Sequence, residues 1–199
     1  NTIIAKPSEI TPLTAHLLGK ICTEIGLPNG VLNILHGYGP EVGNQIVSHP
    51  EIKAISFTGG TSTGKIVAST AAPLFKKLSL ELGGKNASII LEDADLDLTI
   101  PGVLRASFLN SGQICLCGSR ILVHSSIADE FISRYLKELN DFEIGPVISE
   151  EHREKILSYI QLAKDEGGVV LAGGGVPDKP GSWVEPTVIA GLSHNSRTA

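Results

Sequence analysis

Cysteine is scarce: the 199 residues hold only Cys22, Cys115 and Cys117. Three thiols so unevenly spaced cannot form a disulfide framework, so a reducing compartment is expected, with the cytoplasm first and mitochondria as the alternative. Positive charge is also in short supply, since 16 Lys and Arg stand against 21 Asp and Glu, a net charge of −5 without any basic stripe. Nucleic acid and anionic membranes are therefore not expected as partners, which leaves a small molecule as the ligand. No long apolar run occurs either; "SIIL" (88–91) is far short of the roughly 20 residues that a membrane span needs. No charged-then-apolar leader opens the chain. A metal signature is missing too. The C-x-C at 115–117 has no second pair, and the six histidines (16, 36, 49, 124, 152 and 194) are scattered, so no metal is expected.

What is present is an alternation of strand-like and helix-like segments, the mark of an α/β fold with a parallel sheet. "TIIA" reads as a strand. "TPLTAHLLGKICTEIG" reads as a helix, with Thr11 able to cap it, Pro12 at its first position and Gly26 just past its end. "GVLNILHG" and "IKAISFTG" are further strands, followed by the helical "GYGPEVGNQIVSH" and "GTSTGKIVASTAA". In such sheets ligands lie beyond the carboxyl ends of the strands, so "KPSE", "HGYG" and "FTGG" are candidate binding loops. "KKLSLELGG" places Leu78, Leu80 and Leu82 on one face and Ser79 and Glu81 on the other, before two glycines that suit a hinge. A second α/β unit follows: "ASIIL", an acid-capped helix over "DADLDLTIPGVLRASFLN", the cysteine segment, "RILVH" and the helix "SIADEFISRYLKEL". The tail is read as a helix ("SEEHREKILSYIQLAKDEG"), a glycine-rich loop and a short strand near "PTVIA".

Three local patterns carry chemistry. "GGTSTGK" (Gly59 to Lys65) has the spacing of a phosphate loop, but the next position, which should bring a hydroxyl to magnesium, is Ile66. A P-loop nucleotide hydrolase is thus the weaker reading, while a cofactor pyrophosphate at this helix start fits. "NSGQICLCGSR" (110–120) surrounds two thiols with Asn110, Ser111, Gln113 and Ser119, able to hydrogen-bond, and with Gly112 and Gly118, which permit close backbone approach. Residue chemistry alone does not choose between Cys115 and Cys117, because both stand in the same glycine-, amide- and hydroxyl-rich segment. Cys22, on a leucine-rich helix face, reads as an inert apolar thiol. Glu81 is a carboxylate on a leucine-rich strand and would suit a general base beside a thiol.

Together "KPSEITP", "FTGGTSTGK", "KKLSLELGGKN" and "NSGQICLCGSRILV" stand in the order, and with nearly the spacing, found in NAD(P)-dependent aldehyde dehydrogenases, and the chain resembles that family over essentially its whole length. The resemblance implies a parallel Rossmann-type sheet followed by a second α/β catalytic domain. Residues 1–82 then correspond to the C-terminal part of the NAD-binding domain and 83–199 to the N-terminal part of the catalytic domain. It also implies an aldehyde oxidised to a carboxylic acid through a cysteine thiohemiacetal and a thioester, with Cys115 as nucleophile and Glu81 activating the hydrolytic water. For the cofactor it implies Lys6 and Glu9 at the adenosine ribose, Gly37, Gly39 and Pro40 around the adenine, Gly59 and Gly60 near the pyrophosphate, and Gly83 in the same binding set. A carboxylate at Glu9 suits a free 2′-hydroxyl and repels a 2′-phosphate, which favours NAD over NADP. "LCGSRI" is similar to the branch acting on muconate-type semialdehydes, and the complete protein is expected to be a homo-oligomer. The family's upstream oxyanion asparagine and downstream ribose-binding glutamate lie outside the chain, and the connection near 140–143 is shorter than the family's. Truncation at both ends, an internal gap there and a non-catalytic fragment are accordingly expectations as well.

Overall fold

A computed structural model describes residues 1–198 and separates the chain into two compact units, Asn1–Gly83 and Gly84–Ala199. In the first unit β1 (Ile3–Ala5), α1 (Leu13–Glu24), β2 (Leu32–Ile34), α2 (Asn44–Ser48), β3 (Ala54–Thr58), α3 (Thr61–Ala71) and β4 (Lys77–Glu81) follow one another. Strands β1 and β2 pair in parallel with Ile3 opposite Leu32, and β3 and β4 do so with Thr58 opposite Glu81. The expected parallel strands thus occur as two pairs, each joined by a helix. Val47, Ile55, Val67 and Ala71 form the core, with Phe57 and Leu80 packed against them.

Helix α1 ends as the sequence indicates. Gly26 takes φ +78, its N–H bonds to Thr23 O (3.1 Å), and Leu27 N–H reaches back to Cys22 O (2.9 Å). This doubly bonded ending needs a left-handed residue, which glycine adopts at no steric cost. The helix start differs from expectation: Pro12 occupies the capping position and no side chain, Thr11 included, caps the first turn.

The second unit runs β5 (Ala87–Ile90), α4 (Leu96–Phe108), β6 (Arg120–Val123), α5 (Ala128–Leu139), α6 (Glu150–Asp165), β7 (Val169–Ala172) and β8 (Val188–Ala190). Strands β5 and β6 are parallel, whereas β7 and β8 are antiparallel with an irregularity between Val170 and Ala172. Strand β7 has no counterpart in the sequence reading, because its four residues sit between glycines that read as loop. Asp95 caps α4 by accepting from Asp97 N–H at 2.9 Å, and Ser149 Oγ caps α6 by accepting from His152 N–H at 3.1 Å. Along α5, Phe131, Tyr135 and Leu139 recur every four residues and enter a core with Ile90, Leu96, Ile100, Val103 and Leu104. None of the described helices is long and apolar enough to cross a membrane.

Candidate functional site

In the first unit the loops after β1 and β2 meet around one cleft of about 300 Å³, lined by Pro7, Ser8, Glu9, His16, His36, Gly37 and Tyr38 among others. Lys6 ties the two loops together. Its ammonium donates to Pro7 O (2.7 Å) and Gly37 O (3.1 Å) and lies 3.3 Å from Glu9 Oε2. The Glu9 carboxyl is held below the usual carboxylate range, first by its own backbone N–H and then by Lys6. Gly37 has φ +148, and a Cβ there would fall 2.4 Å from Val42 Cγ2, so the loop closes this tightly only with glycine. Gly39 and Pro40 open a π-helical turn, Gly39–Gly43, that leads into α2. Pro40 is not among the residues lining that cleft and instead lines an apolar one of about 500 Å³ with Ile4, Leu35, Val42, Ile46 and Ile52.

Beyond β3, Gly59 and Gly60 make a two-residue connection into α3. Gly60 is the capping residue without a side-chain cap, and the first intrahelical bond reaches it from Gly64 N–H at 2.9 Å. The N–H groups of the first turn are thus free to face an anion. Helix begins at Thr61 and carries Lys65 in its second turn, so "GGTSTGK" is mostly helix rather than a loop wrapped around phosphates. Gly59 N–H donates to Glu81 O at 3.0 Å, joining this connection to the end of β4. The Glu81 side chain is exposed there, and a Cβ on Gly83, two residues on, would meet nothing within 4 Å.

The thiols of the second unit sit on a turn, which is why strand or helix geometry does not describe them. Cys117 N–H bonds to Ile114 O at 3.0 Å, so Cys115 and Leu116 occupy the two corners, both exposed, while Cys117 is half-buried. Ahead of the turn, Asn110 (φ +52) and Ser111 (φ +58) are both left-handed, a conformation that costs each of them steric energy. The segment is braced from outside: Ser111 Oγ donates to Gly145 O (2.8 Å), and Gln113 Oε1 accepts from Ile148 N–H (2.9 Å). Asn86 Nδ2 donates to Cys115 O at 2.9 Å. Sequence reasoning passed over Asn86; its signal is an amide placed directly after the two glycines of "LELGGKN". No group of three or more metal-ligating side chains occurs among the described residues.

Comparisons with known proteins agree on one family. The sequence profile described as "Aldehyde dehydrogenase family" matches residues 1–199. The chain is 46% identical over 213 residues to the 2-aminomuconic 6-semialdehyde dehydrogenase of Pseudomonas sp, a match covering 99% of this chain and 43% of that protein. It is 45% identical over 213 residues to the human 2-aminomuconic semialdehyde dehydrogenase, covering 98% and 44% respectively. The solved betaine aldehyde dehydrogenase of Staphylococcus aureus in complex with NAD+ superposes with a TM-score of 0.95 at 41% identity, over 99% of this chain and 42% of that one. The chain therefore spans less than half the length of the relatives it matches. With profile, sequence and structure in agreement along its whole length, the chain belongs to the aldehyde dehydrogenase family.

Proposed function

We propose that the protein to which this chain belongs oxidises an aldehyde to a carboxylic acid with NAD, with Cys115 as nucleophile and Glu81 as base. The observation carrying this is the exposed corner position of Cys115, in a braced turn of a chain belonging to this family. The thiolate adds to the aldehyde carbonyl, and the oxyanion so formed is held by hydrogen-bond donors. The nicotinamide, when bound, accepts the hydride released from that carbon. The resulting thioester on Cys115 is attacked by water, whose proton goes to Glu81; the acid leaves and the thiol is restored.

The residues of the first unit suit NAD. A carboxylate and an ammonium at Glu9 and Lys6 can accept from and donate to ribose hydroxyls, and the uncapped first turn of α3 behind Gly59 and Gly60 offers N–H groups to a pyrophosphate. Gly37 lines the cleft that Glu9 also lines, and the family resemblance adds Gly39, Pro40 and Gly83 to the cofactor set. The Glu9 carboxylate disfavours a 2′-phosphate, so NAD is preferred to NADP. Relatives bearing muconic semialdehyde names support a semialdehyde of that type as substrate. The remaining partners are further copies of the same chain, and the compartment is the cytoplasm.

The test is NADH formation by the whole protein with muconate-type semialdehydes, betaine aldehyde and simple aliphatic aldehydes. Activity is expected with at least the first group, abolished by Cys115→Ala and retained by Cys117→Ala. Absence of NADH with every aldehyde, or full activity in Cys115→Ala, would sink the reading.

A further inference from the structure

The corner that carries Cys115 has little to hold it in place. Leu116, the second corner, is 78% exposed, and the approach through Asn110 and Ser111 is left-handed, so neither packing nor backbone preference fixes the position. Among the described residues Cys115 makes one hydrogen bond: its carbonyl accepts from Asn86 Nδ2 at 2.9 Å. Asn86 itself is firmly planted. It stands just before β5, and Arg120, the first residue of β6, grips the backbone there twice: its N–H donates to Asn86 O at 3.1 Å, and its Nε donates to Lys85 O at 2.8 Å. Gly84 lets the backbone lie against this contact, since a Cβ there would be 3.5 Å from Asn86 Oδ1 and 3.8 Å from Cys115 O.

A carbonyl can only accept, so the amide has to present its nitrogen to Cys115 and its oxygen elsewhere. The bond acts on the thiol in two ways. It holds the peptide that joins the two corners of the turn, the unit whose rotation distinguishes one turn type from another, and so limits the directions open to the Cys115 backbone. It also sets the positive end of an amide dipole against the residue that must carry a thiolate. We propose that Asn86 is a positioning residue for Cys115, tying the nucleophile's own carbonyl to the edge of the β5–β6 pair and holding the exposed corner in one orientation. This rests on Cys115 being the nucleophile. Asn86 acts through the Cys115 carbonyl and not by touching substrate or cofactor. Because both residues are exposed, the bond contributes little to stability, and its loss separates reactivity from folding.

The experiment compares Asn86→Ala and Asn86→Asp with the parent in the whole protein. Three quantities are read: the rate of iodoacetamide alkylation at Cys115 at neutral pH, resolved by mass spectrometry; kcat with KM for NAD; and the thermal midpoint. Alanine removes the donor, whereas aspartate keeps the shape but, as a carboxylate, only accepts. Asn86→Ala is expected to lower alkylation and kcat roughly three- to tenfold, the worth of one neutral hydrogen bond, with KM for NAD and the midpoint unchanged. Asn86→Asp should fall below Asn86→Ala in both rates, because its charge opposes the Cys115 carbonyl and a thiolate alike. Parental rates in Asn86→Ala would overturn the proposal, as would Asn86→Asp reacting as fast as Asn86→Ala or faster, or rates lost only in step with the midpoint. If Cys115 of the parent alkylates no faster than Cys22, the nucleophile assignment fails and the proposal with it; if the parent reacts fast and both variants match it, only the positioning role fails.

Discussion

Glu81 and Cys115 carry different halves of the proposed reaction, and single substitutions separate them. Replacing Glu81 by Gln keeps size and hydrogen bonding but removes the base, while the strand that carries it, paired from Ala54–Lys77 to Thr58–Glu81, is left undisturbed. Thiol addition and hydride departure do not need that base, whereas thioester hydrolysis does. The expected outcome for Glu81→Gln is a burst of NADH close to one per site, followed by steady turnover slowed about a hundredfold or more. Rapid-mixing measurement of NADH checks this; a uniform slowing without a burst would place Glu81 before hydride transfer. At this scale the sequence was uneven as a guide. The C-x-C pair was visible, but its two thiols could be told apart only by family resemblance, since the turn from Ile114 to Cys117 depends on a hydrogen bond that no periodicity announces. The left-handed Ser111 is likewise held by a distant partner, Gly145 O, and so leaves no local mark.

Elements were legible where their ends are chemically marked. Gly26 illustrates this: its φ of +78 closes α1, and a Cβ there would meet nothing within 4 Å, so a substitution tests backbone conformation alone. Gly26→Ala is expected to weaken the last turn by about 1 kcal/mol, which is about fivefold faster amide exchange at Ile25 to Leu27. Unchanged exchange there would mean the ending is not limiting. The acidic starts of α4 and α5 and the Ser149 cap of α6 were marked in the same way. Strand β7 was hidden, because its partner β8 lies beyond a long loop and neither strand alternates along its length. The end of α6 adds a pH-dependent contact. Glu166 accepts from the Arg197 side chain (3.0 Å) and backbone (3.2 Å) and from Thr198 Oγ1 (3.2 Å), and the Arg197 guanidinium is the main influence holding its carboxyl below the usual range. A lowered folded value means that this contact contributes fully above the ordinary carboxylate range and is lost as pH falls through the lowered value. Exchange at the Arg197 amide should therefore be faster in Glu166→Gln than in the parent at neutral pH, and the two should converge in acid. Divergence that grows on acidification would reverse the sign and discard the contact.

Taken whole, the chain leaves much apolar surface in water. Its accessible area is 13062 Å², whereas two separate compact domains of these sizes would expose about 11,000 Å² in total. Because two separate domains set the comparison, the excess does not depend on any packing between the units. Its sources are specific. Helix α1 has no buried residue, with Leu13, Leu17, Leu18 and Ile21 each more than half exposed, and Ile89, Leu91 and Phe75 are similarly bare. Each described sheet has only two strands, so every strand keeps an unpaired edge able to add another. Relatives more than twice as long have the further chain with which such faces and edges could be covered, and this agrees with reading the sequence as part of a larger protein. The 199 residues made alone should accordingly bind a hydrophobic dye such as ANS and associate at micromolar concentration, by sedimentation velocity, while the whole protein binds little dye. A monomer of the isolated chain that ignores ANS and unfolds in one steep transition would contradict this. The exposed leucines and isoleucines would then have to be sequestered within the 199 residues themselves, in an arrangement different from the one described here.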